Sequence, residues 1–317
     1  MVSGQTAAGM KRLFLCLALL LAASLPGHTE ELARLEGRDV AVLCAPGLIP
    51  EAREVVRLYP SIRRDLEAAF RWEIDFRPVI VLVGERGVFR QMAGHEAFVA
   101  YAVPDEQVMV IDLTRMRQRP FTLEITIRHE LCHLLLHRYM GSTDMPKWLD
   151  EGIAQWISEG VPELVTPARD SLLTQAALAG SLPRLESLSR SFPRDGQGLA
   201  LAYGQSRSVV EYIVNNYGRN GVLNLLESLR RGASFEDAVE ATLLEEMPEI
   251  EQGWRDGLLG PAAVIAYLVA HLYTILFILA ALLTVWAYIR FLARKRRLRD
   301  EPEDEAGGPT DPHAGTY

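Results

Sequence analysis

The sequence predicts an α+β domain followed by one membrane-spanning helix, and three observations lead there. Short strand patterns alternate with an amphipathic helix in the first part of the chain, helical signals dominate after residue 120, and a long apolar run ends in a basic cluster. On this basis we divide the 317 residues into a signal segment at 1–28, an α/β part at 30–119 and a helical part at 120–258. A transmembrane helix at 262–289 and a basic, then acidic, tail at 290–317 complete the division.

Within the first part, Val40 to Cys44 is a short strand pattern. Glu51 to Phe70 is a helix, with Val55, Val56, Leu58, Ile62, Leu66 and Phe70 on its apolar side. Pro78 to Val83 is a buried strand, and Phe98 to Val103 can pair with Val108 to Asp112 as a hairpin around Pro104-Asp105-Glu106. Beyond Glu151 the pattern is almost wholly helical, with Gly160, Pro162, Pro183, Pro193 and Gly196 marking breaks and no internal repeat.

The chemistry concentrates in His129-Glu130-Leu131-Cys132-His133, an HExxH sequence, and in Trp148-Leu149-Asp150-Glu151-Gly152-Ile153-Ala154 after it. Residues four apart on a helix share a face, so His129 and His133 can present imidazole nitrogens to one metal ion. Glu130 is too close in sequence to be a third ligand in that geometry but is placed to take a proton from an activated water. An HExxH alone can also be a histidine-bearing core helix, so context matters. Here the flanks Phe121 to Arg128 and Leu134 to Leu136 contain no Gly or Pro, Gly141 ends the helix, and Pro146 suits the first turn of a second helix that carries Glu151. An antiparallel pair of helices would return that carboxylate to the histidines as a third zinc ligand, with a fourth position open to water.

These segments resemble the gluzincin metallopeptidases, and in particular the peptidase MA-like domains with their Pro, Trp, Glu-Gly and Ala pattern in the second motif. The likeness extends to Tyr203-Gly204-Gln205-Ser206, Val209 to Ile213 and Tyr217-Gly218, similar to a family helix that opens on a tyrosine. Leu225, Leu226, Leu229, Gly232, Phe235 and Ala238 resemble the short helices behind it. The resemblance spans roughly Val40 to Trp254, although only the zinc motifs are sharply specific. It implies a thermolysin-like zincin fold with a small mixed sheet, the HExxH helix and a helical C-terminal lobe. It further implies one Zn2+ on His129, His133 and Glu151, Glu130 as general base, and Tyr203 as a donor to the oxyanion. A core tyrosine beginning a helix is the other reading of Tyr203. The edge strand that holds the substrate backbone in gluzincins corresponds to Phe98 to Val103. Asp150 stands where thermolysin-like enzymes usually carry Asn. Asp150 and Gln155 are the sequence candidates for orienting the imidazoles.

His137 also lies at helical spacing, but a metzincin needs a glycine break and a histidine where this chain has Tyr139. A continued helix carries His137 about 12 Å from His129, too far to share one ion, so it reads as a surface or supporting histidine.

Lys11-Arg12, the apolar run Leu13 to Leu21 and the small residues Ala22, Ala23 and Ser24 compose a secretory signal, with an uncleaved anchor as the alternative. Met10 would make a typical start for such a signal, which suggests that residues 1–9 are an extension. Ala262 to Tyr288 is long enough to cross a hydrocarbon layer of about 30 Å. Tyr267, Trp286 and Tyr288 suit the interfaces, and Arg290, Arg294, Lys295, Arg296, Arg297 and Arg299 mark the cytoplasmic side. His271 within the run reads as facing a partner group or local water. The domain between signal and span is then extracytoplasmic, periplasmic or extracellular, and residues after Asp300 read as disordered.

The net charge of −8 gives no basic surface for nucleic acid. Of three cysteines, Cys16 lies in the signal without a lipoprotein pattern. A disulfide between Cys44 and Cys132 is permitted by an oxidising compartment, but Cys132 inside the zinc helix reads as a small buried apolar residue. The expectation is a membrane-anchored zinc metallopeptidase, an endopeptidase acting on protein or peptide substrates near the membrane. The alternative is a membrane-anchored binding or scaffold protein that keeps the fold without turnover. A closed structural zinc is disfavoured, because such sites usually fill the fourth position with Cys or His.

Overall fold

The computed structural model describes residues 32–94, 98–116, 121–141, 143–158 and 169–299. The signal segment with Cys16, the breaks at Gly160 and Pro162, and the acidic tail lie outside the described residues. The chain divides into two compact units, Met1–Gly260 and Pro261–Tyr317.

The first unit is built on a five-stranded mixed sheet in the order β1-β2-β3-β5-β4. Its strands are β1 (Ala33–Glu36), β2 (Ala41–Cys44), β3 (Val79–Val83), β4 (Ala100–Val103) and β5 (Val108–Asp112). The central strands β2, β3 and β5 are parallel, with Val42 opposite Ile80 and Ile80 opposite Met109. The outer strands β1 and β4 run antiparallel to β2 and β5. Strand β1 was not foreseen. Its alternating half-buried and exposed residues and interleaved charges give only a weak sequence signal.

Period-two alternation sends the two faces of the sheet into different cores. Val42, Cys44, Ile80, Leu82, Met109 and Ile111 join the main core. Val79, Val81, Val83, Val108 and Val110 pack with Phe89 of α2 (Arg86–Ala93). With both faces covered, the strands read as continuous apolar runs rather than alternating ones. The long helix α1 (Ile49–Phe70) crosses from β2 to β3 and buries Ala52, Val55, Tyr59, Ile62, Leu66 and Phe70. Tyr59 belongs to this stripe, whereas Val56 and Leu58 lie only partly buried at its margins.

Helix α3 (Leu123–Met140) carries the HExxH residues and is buried around most of its circumference, so its apolar residues form no single stripe. The Thr122 hydroxyl caps its first turn, accepting from the Ile125 N–H at 3.3 Å. Gly141, at φ +61°, ends it, a backbone angle that a side chain resists. Helix α4 (Lys147–Ile157) follows, with Pro146 just ahead of the first turn rather than within it. The remaining helices are α5 (Arg169–Leu178), α6 (Gly196–Arg230), α7 (Phe235–Leu243) and α8 (Met247–Leu258). Helix α6 is broken at Gly218, where φ is +72° and ψ 169°. Asp195 caps α6 through the Gly198 N–H, so Tyr203 lies about two turns inside the helix instead of opening it.

Gly152 sets the spacing of α4 and α6. A Cβ built there would sit 2.4 Å from the Ser206 carbonyl oxygen and 2.6 Å from Val210 Cγ2, so the two backbones approach as closely as they do only because no side chain intervenes. Trp148 packs edge-on to Phe235 on α7 at 5.9 Å between ring centres, and Trp254 of α8 donates its indole N–H to Ser208 Oγ at 3.0 Å. Cys44 and Cys132 are buried and unpaired. Burial pushes both thiols upward, Cys132 well beyond the usual thiol range.

The second unit consists of α9 (Pro261–Ala270) and α10 (Leu272–Arg299). The segment Leu272–Arg296, 25 residues, is long and apolar enough to cross a membrane by length and composition. It starts later than the expected span, and the helix continues through the basic cluster to Arg299. His271 stands between the two helices with its ring 4.4 Å from that of Tyr267.

Candidate metal centre

The α3 and α4 helices bring His129, His133 and Glu151 together, as their spacing predicts. Each residue offers one ligand atom within 4.8 Å of the others. His133 Nε2 lies 3.2 Å from His129 Nε2, and Glu151 Oε2 lies 3.5 Å from His133 Nε2 and 4.0 Å from His129 Nε2. Two ligand atoms about 2.05 Å from a tetrahedral ion lie about 3.3 Å apart. The donor set is therefore the right size and type for zinc. All three side chains are buried, and Glu151 Oε2 has no hydrogen-bond partner where it faces the imidazoles. A carboxylate oxygen removed from water in this way calls for a cation or a proton.

Asp150 fixes the orientation of one imidazole. Its Oδ2 lies 3.0 Å from His133 Nδ1, so an Nδ1–H donated to the carboxylate leaves the Nε2 lone pair directed at the site. Burial opposes a charge on His133, but the carboxylates of Asp150 and Glu151 outweigh it and raise the imidazole pKa well above its ordinary value. Gln155, the other candidate for this task, reaches neither histidine. Its amide donates to the carbonyls of Glu151 and Tyr203, at 3.2 and 3.1 Å, and so ties α4 to α6. The side chain is buried away from the histidines because it lies one helical turn past Glu151.

The two oxygens of Glu151 face different groups. Oε2 addresses the histidines, whereas Oε1 accepts from the Tyr203 hydroxyl at 3.4 Å and lies 3.9 Å from Lys147 Nζ. Tyr203 is also packed edge-on to Phe192 at 5.1 Å. The core and site readings of Tyr203 thus meet in one side chain: a buried ring with its hydroxyl at the ligand carboxylate.

Glu130, His133, Glu151 and Tyr203 line a cleft of about 450 Å³. One wall is the terminal strand β4 with its flanks, through Phe98, Ala100, Tyr101, Ala102 and Pro104, where the sequence places the edge strand. Met140, Gly141, Thr143, Asp144 and Met145 also line it. His137 reaches the cleft too, and its Nε2 lies 3.4 Å from Asp105 Oδ1 in the β4–β5 connection, away from the metal ligands. The sequence reading missed Lys147 and Phe192. Lys147 precedes Glu151 by four positions on one helix, so its presence on the same face was legible from spacing. Phe192 lies between α5 and α6 and had no local signal.

The sequence model of the peptidase MA superfamily matches residues 95–260. No curated protein matches the sequence significantly. Among solved structures, yeast LTA4 hydrolase in complex with bestatin aligns at 12% identity and TM-score 0.42, covering 70% of this chain and 37% of that one. An M1 zinc metallopeptidase from Deinococcus radiodurans aligns at 17% identity and TM-score 0.39, covering 71% and 51%. Aminopeptidase A from Legionella pneumophila, in complex with aspartic acid, aligns at 11% and 0.39, covering 71% and 27%. This chain spans at most about half the length of these proteins. The matched segment of the family model takes in the metal centre and more than half of the 317 residues, and the chain belongs to the peptidase MA superfamily.

Proposed function

We propose that this protein is a membrane-anchored zinc metallopeptidase, an endopeptidase whose catalytic domain lies outside the cytoplasm. The observation that carries the reading is the convergence of His129 Nε2, His133 Nε2 and Glu151 Oε2 beside a cleft that His133, Glu151 and Glu130 line. A zinc ion on these three ligands would supply Lewis acidity, making a water acidic enough to attack near neutral pH and polarising the peptide carbonyl. Glu130 takes the proton of the attacking water and returns it to the leaving amine. Asp150 holds His133 in the tautomer that leaves Nε2 free to bind the metal. The Tyr203 hydroxyl, already directed at the site, donates to the oxygen that gains charge in the transition state. Strand β4, terminal in the sheet and lining the cleft, offers its edge to an extended substrate backbone. The apolar segment Leu272–Arg296, with arginines and a lysine at its end, supports a single span with the basic end in the cytoplasm.

The test is metal analysis of the purified protein together with hydrolysis of a peptide library. One zinc per chain is expected, with Glu130→Gln retaining it while losing at least about a hundredfold in rate. His133→Ala and Glu151→Ala should lose the metal. Wild-type turnover by Glu130→Gln would sink the mechanism and favour a scaffold that has kept the fold without catalysis.

A further inference from the structure

Lys147 opens α4 and is held there on three sides. Its backbone N–H donates to the Ser189 carbonyl at 2.7 Å, its ammonium lies 5.2 Å from the centre of the Phe192 ring, and Nζ stands 3.9 Å from Glu151 Oε1. Phe192 is itself packed against Tyr203, so the face beneath the ammonium is braced by the wall of the site. At 3.9 Å the contact with Glu151 is an ion pair without a hydrogen bond, which leaves the three ammonium donors available to a ligand. Among the described residues lining the cleft, Lys147 is the one lysine or arginine.

Glu151 is the only carboxylate of the protein that pairs with this ammonium among the described residues, and it is also a ligand in the proposed metal set. Once that carboxylate donates to a divalent cation, much of its charge is neutralised. The ammonium then faces the cleft with less compensation than it has in the metal-free protein. A charged lysine in a partly desolvated cleft discriminates strongly between a carboxylate and its neutral amide.

Resting on the metallopeptidase reading above, we propose that Lys147 is a specificity-determining residue that receives a substrate carboxylate next to the bond being cut. One ligand carboxylate separates the ammonium from the metal-binding atoms, a distance that a substrate covers with a single residue at about 3.8 Å between Cα atoms. The carboxylate can come from an Asp or Glu side chain or from the free end of the chain, and in the second case the cleavage is that of a carboxypeptidase and replaces the endopeptidase reading above.

The experiment measures binding rather than turnover, so that it separates from the test of the peptidase reading. Zinc-loaded Glu130→Gln protein is titrated with fluorescent peptides in which Glu or Gln is scanned through two positions on either side of a central bond, each amidated at the C-terminus. A second set is neutral in its side chains and carries a free or an amidated C-terminus. One Glu position should bind about ten- to a hundredfold tighter than its Gln counterpart, or the free terminus tighter than the amide by a similar factor. The first outcome assigns an acidic side chain and the second the chain end. Adding Lys147→Met should bring the ratio to about one, and Lys147→Glu should invert it. An unchanged ratio in Lys147→Met, no preference in the parent protein, or no binding of any peptide would overturn the proposal. If Lys147→Met instead shifts only the zinc affinity, its role is confined to holding Glu151, and the proposal fails. Hydrolysis by the unmodified protein is scored separately and decides the peptidase reading alone.

Discussion

At the scale of single residues, the proposed mechanism assigns metal binding, imidazole orientation and proton transfer to different side chains, and substitutions should separate them. Asp150 touches only His133 within the metal set, so Asp150→Ala should lower zinc affinity by about ten- to a hundredfold without abolishing it. Zinc competition against a chromogenic chelator reads this, and an unchanged affinity would show that the 3.0 Å contact does not support the ligand. Tyr203→Phe removes the hydroxyl and keeps the ring against Phe192. If its hydroxyl serves the transition state, Tyr203→Phe should lower kcat by roughly ten- to a thousandfold with zinc content and Tm nearly unchanged. If the 3.4 Å bond to Glu151 is its whole contribution, zinc affinity falls and the kcat of the fully loaded enzyme holds. The His133 pKa gives a third readout. A folded-state pKa raised above the unfolded value of about 6.5 stabilises the metal-free protein fully below that pH, and this stabilisation is lost as pH rises through the folded value. Zinc needs the same nitrogen deprotonated, so its affinity grows in the direction in which the metal-free protein weakens. The gap in Tm between zinc-loaded and chelator-treated protein should widen from pH 6 to pH 8. Parallel curves would show that His133 is not the group that proton and metal share.

At the scale of elements, the site depends on α4 being clamped between α3 and α6. The backbone of Gly152 lies against Ser206 and Val210, and the Gln155 amide joins a carbonyl of α4 to one of α6. Gly152→Ala puts a methyl group where a backbone oxygen already sits 2.4 Å away, so α4 must move. The expected cost is about 1–3 kcal/mol, the usual range for overpacking a close contact. Because Glu151 is the adjacent residue, zinc affinity should fall along with stability. Urea unfolding and metal titration of the same variant test both, and a loss of neither would mean that α6 gives way freely. The two Leu, Ile and Val sets of the sheet have a different role. They seat β4 at the edge beside the cleft, where a strand from a substrate can pair.

At the scale of the whole molecule, the unit ending at Gly260 contains the candidate ligands His129, His133 and Glu151, the sheet and the core. A soluble form ending there should fold, bind one zinc and cleave short peptides at the full-length rate. On the membrane-anchored reading, tethering would confine enzyme and membrane-borne substrates to one surface and raise their effective concentration, so the form ending at Gly260 should process such substrates less well. Assay of both forms at matched amounts, in detergent and in cells, separates the two effects. Equal processing of membrane-borne substrates in cells would reduce the apolar helix to a means of retention.

Local pattern by itself determined the long helix from α1's apolar spacing, the β4–β5 pair, the HExxH helix with its Gly141 stop, and the placing of His129 and His133 on one face of that helix. These follow from periods of 3.6 and 2 and from a motif whose ligands lie on one helix face, which a chain expresses without reference to distant segments. Strand β1 has too few buried residues to announce itself, and it exists because β2 offers an edge to pair with. The meeting of Glu151 with the two histidines, the reach of the Tyr203 hydroxyl to Glu151, the reach of Gln155 to two carbonyls and the support of Lys147 by Phe192 all depend on which helices meet. Only tertiary packing decides that, because contacts between residues tens of positions apart are set by close-packed volume and not by local periodicity.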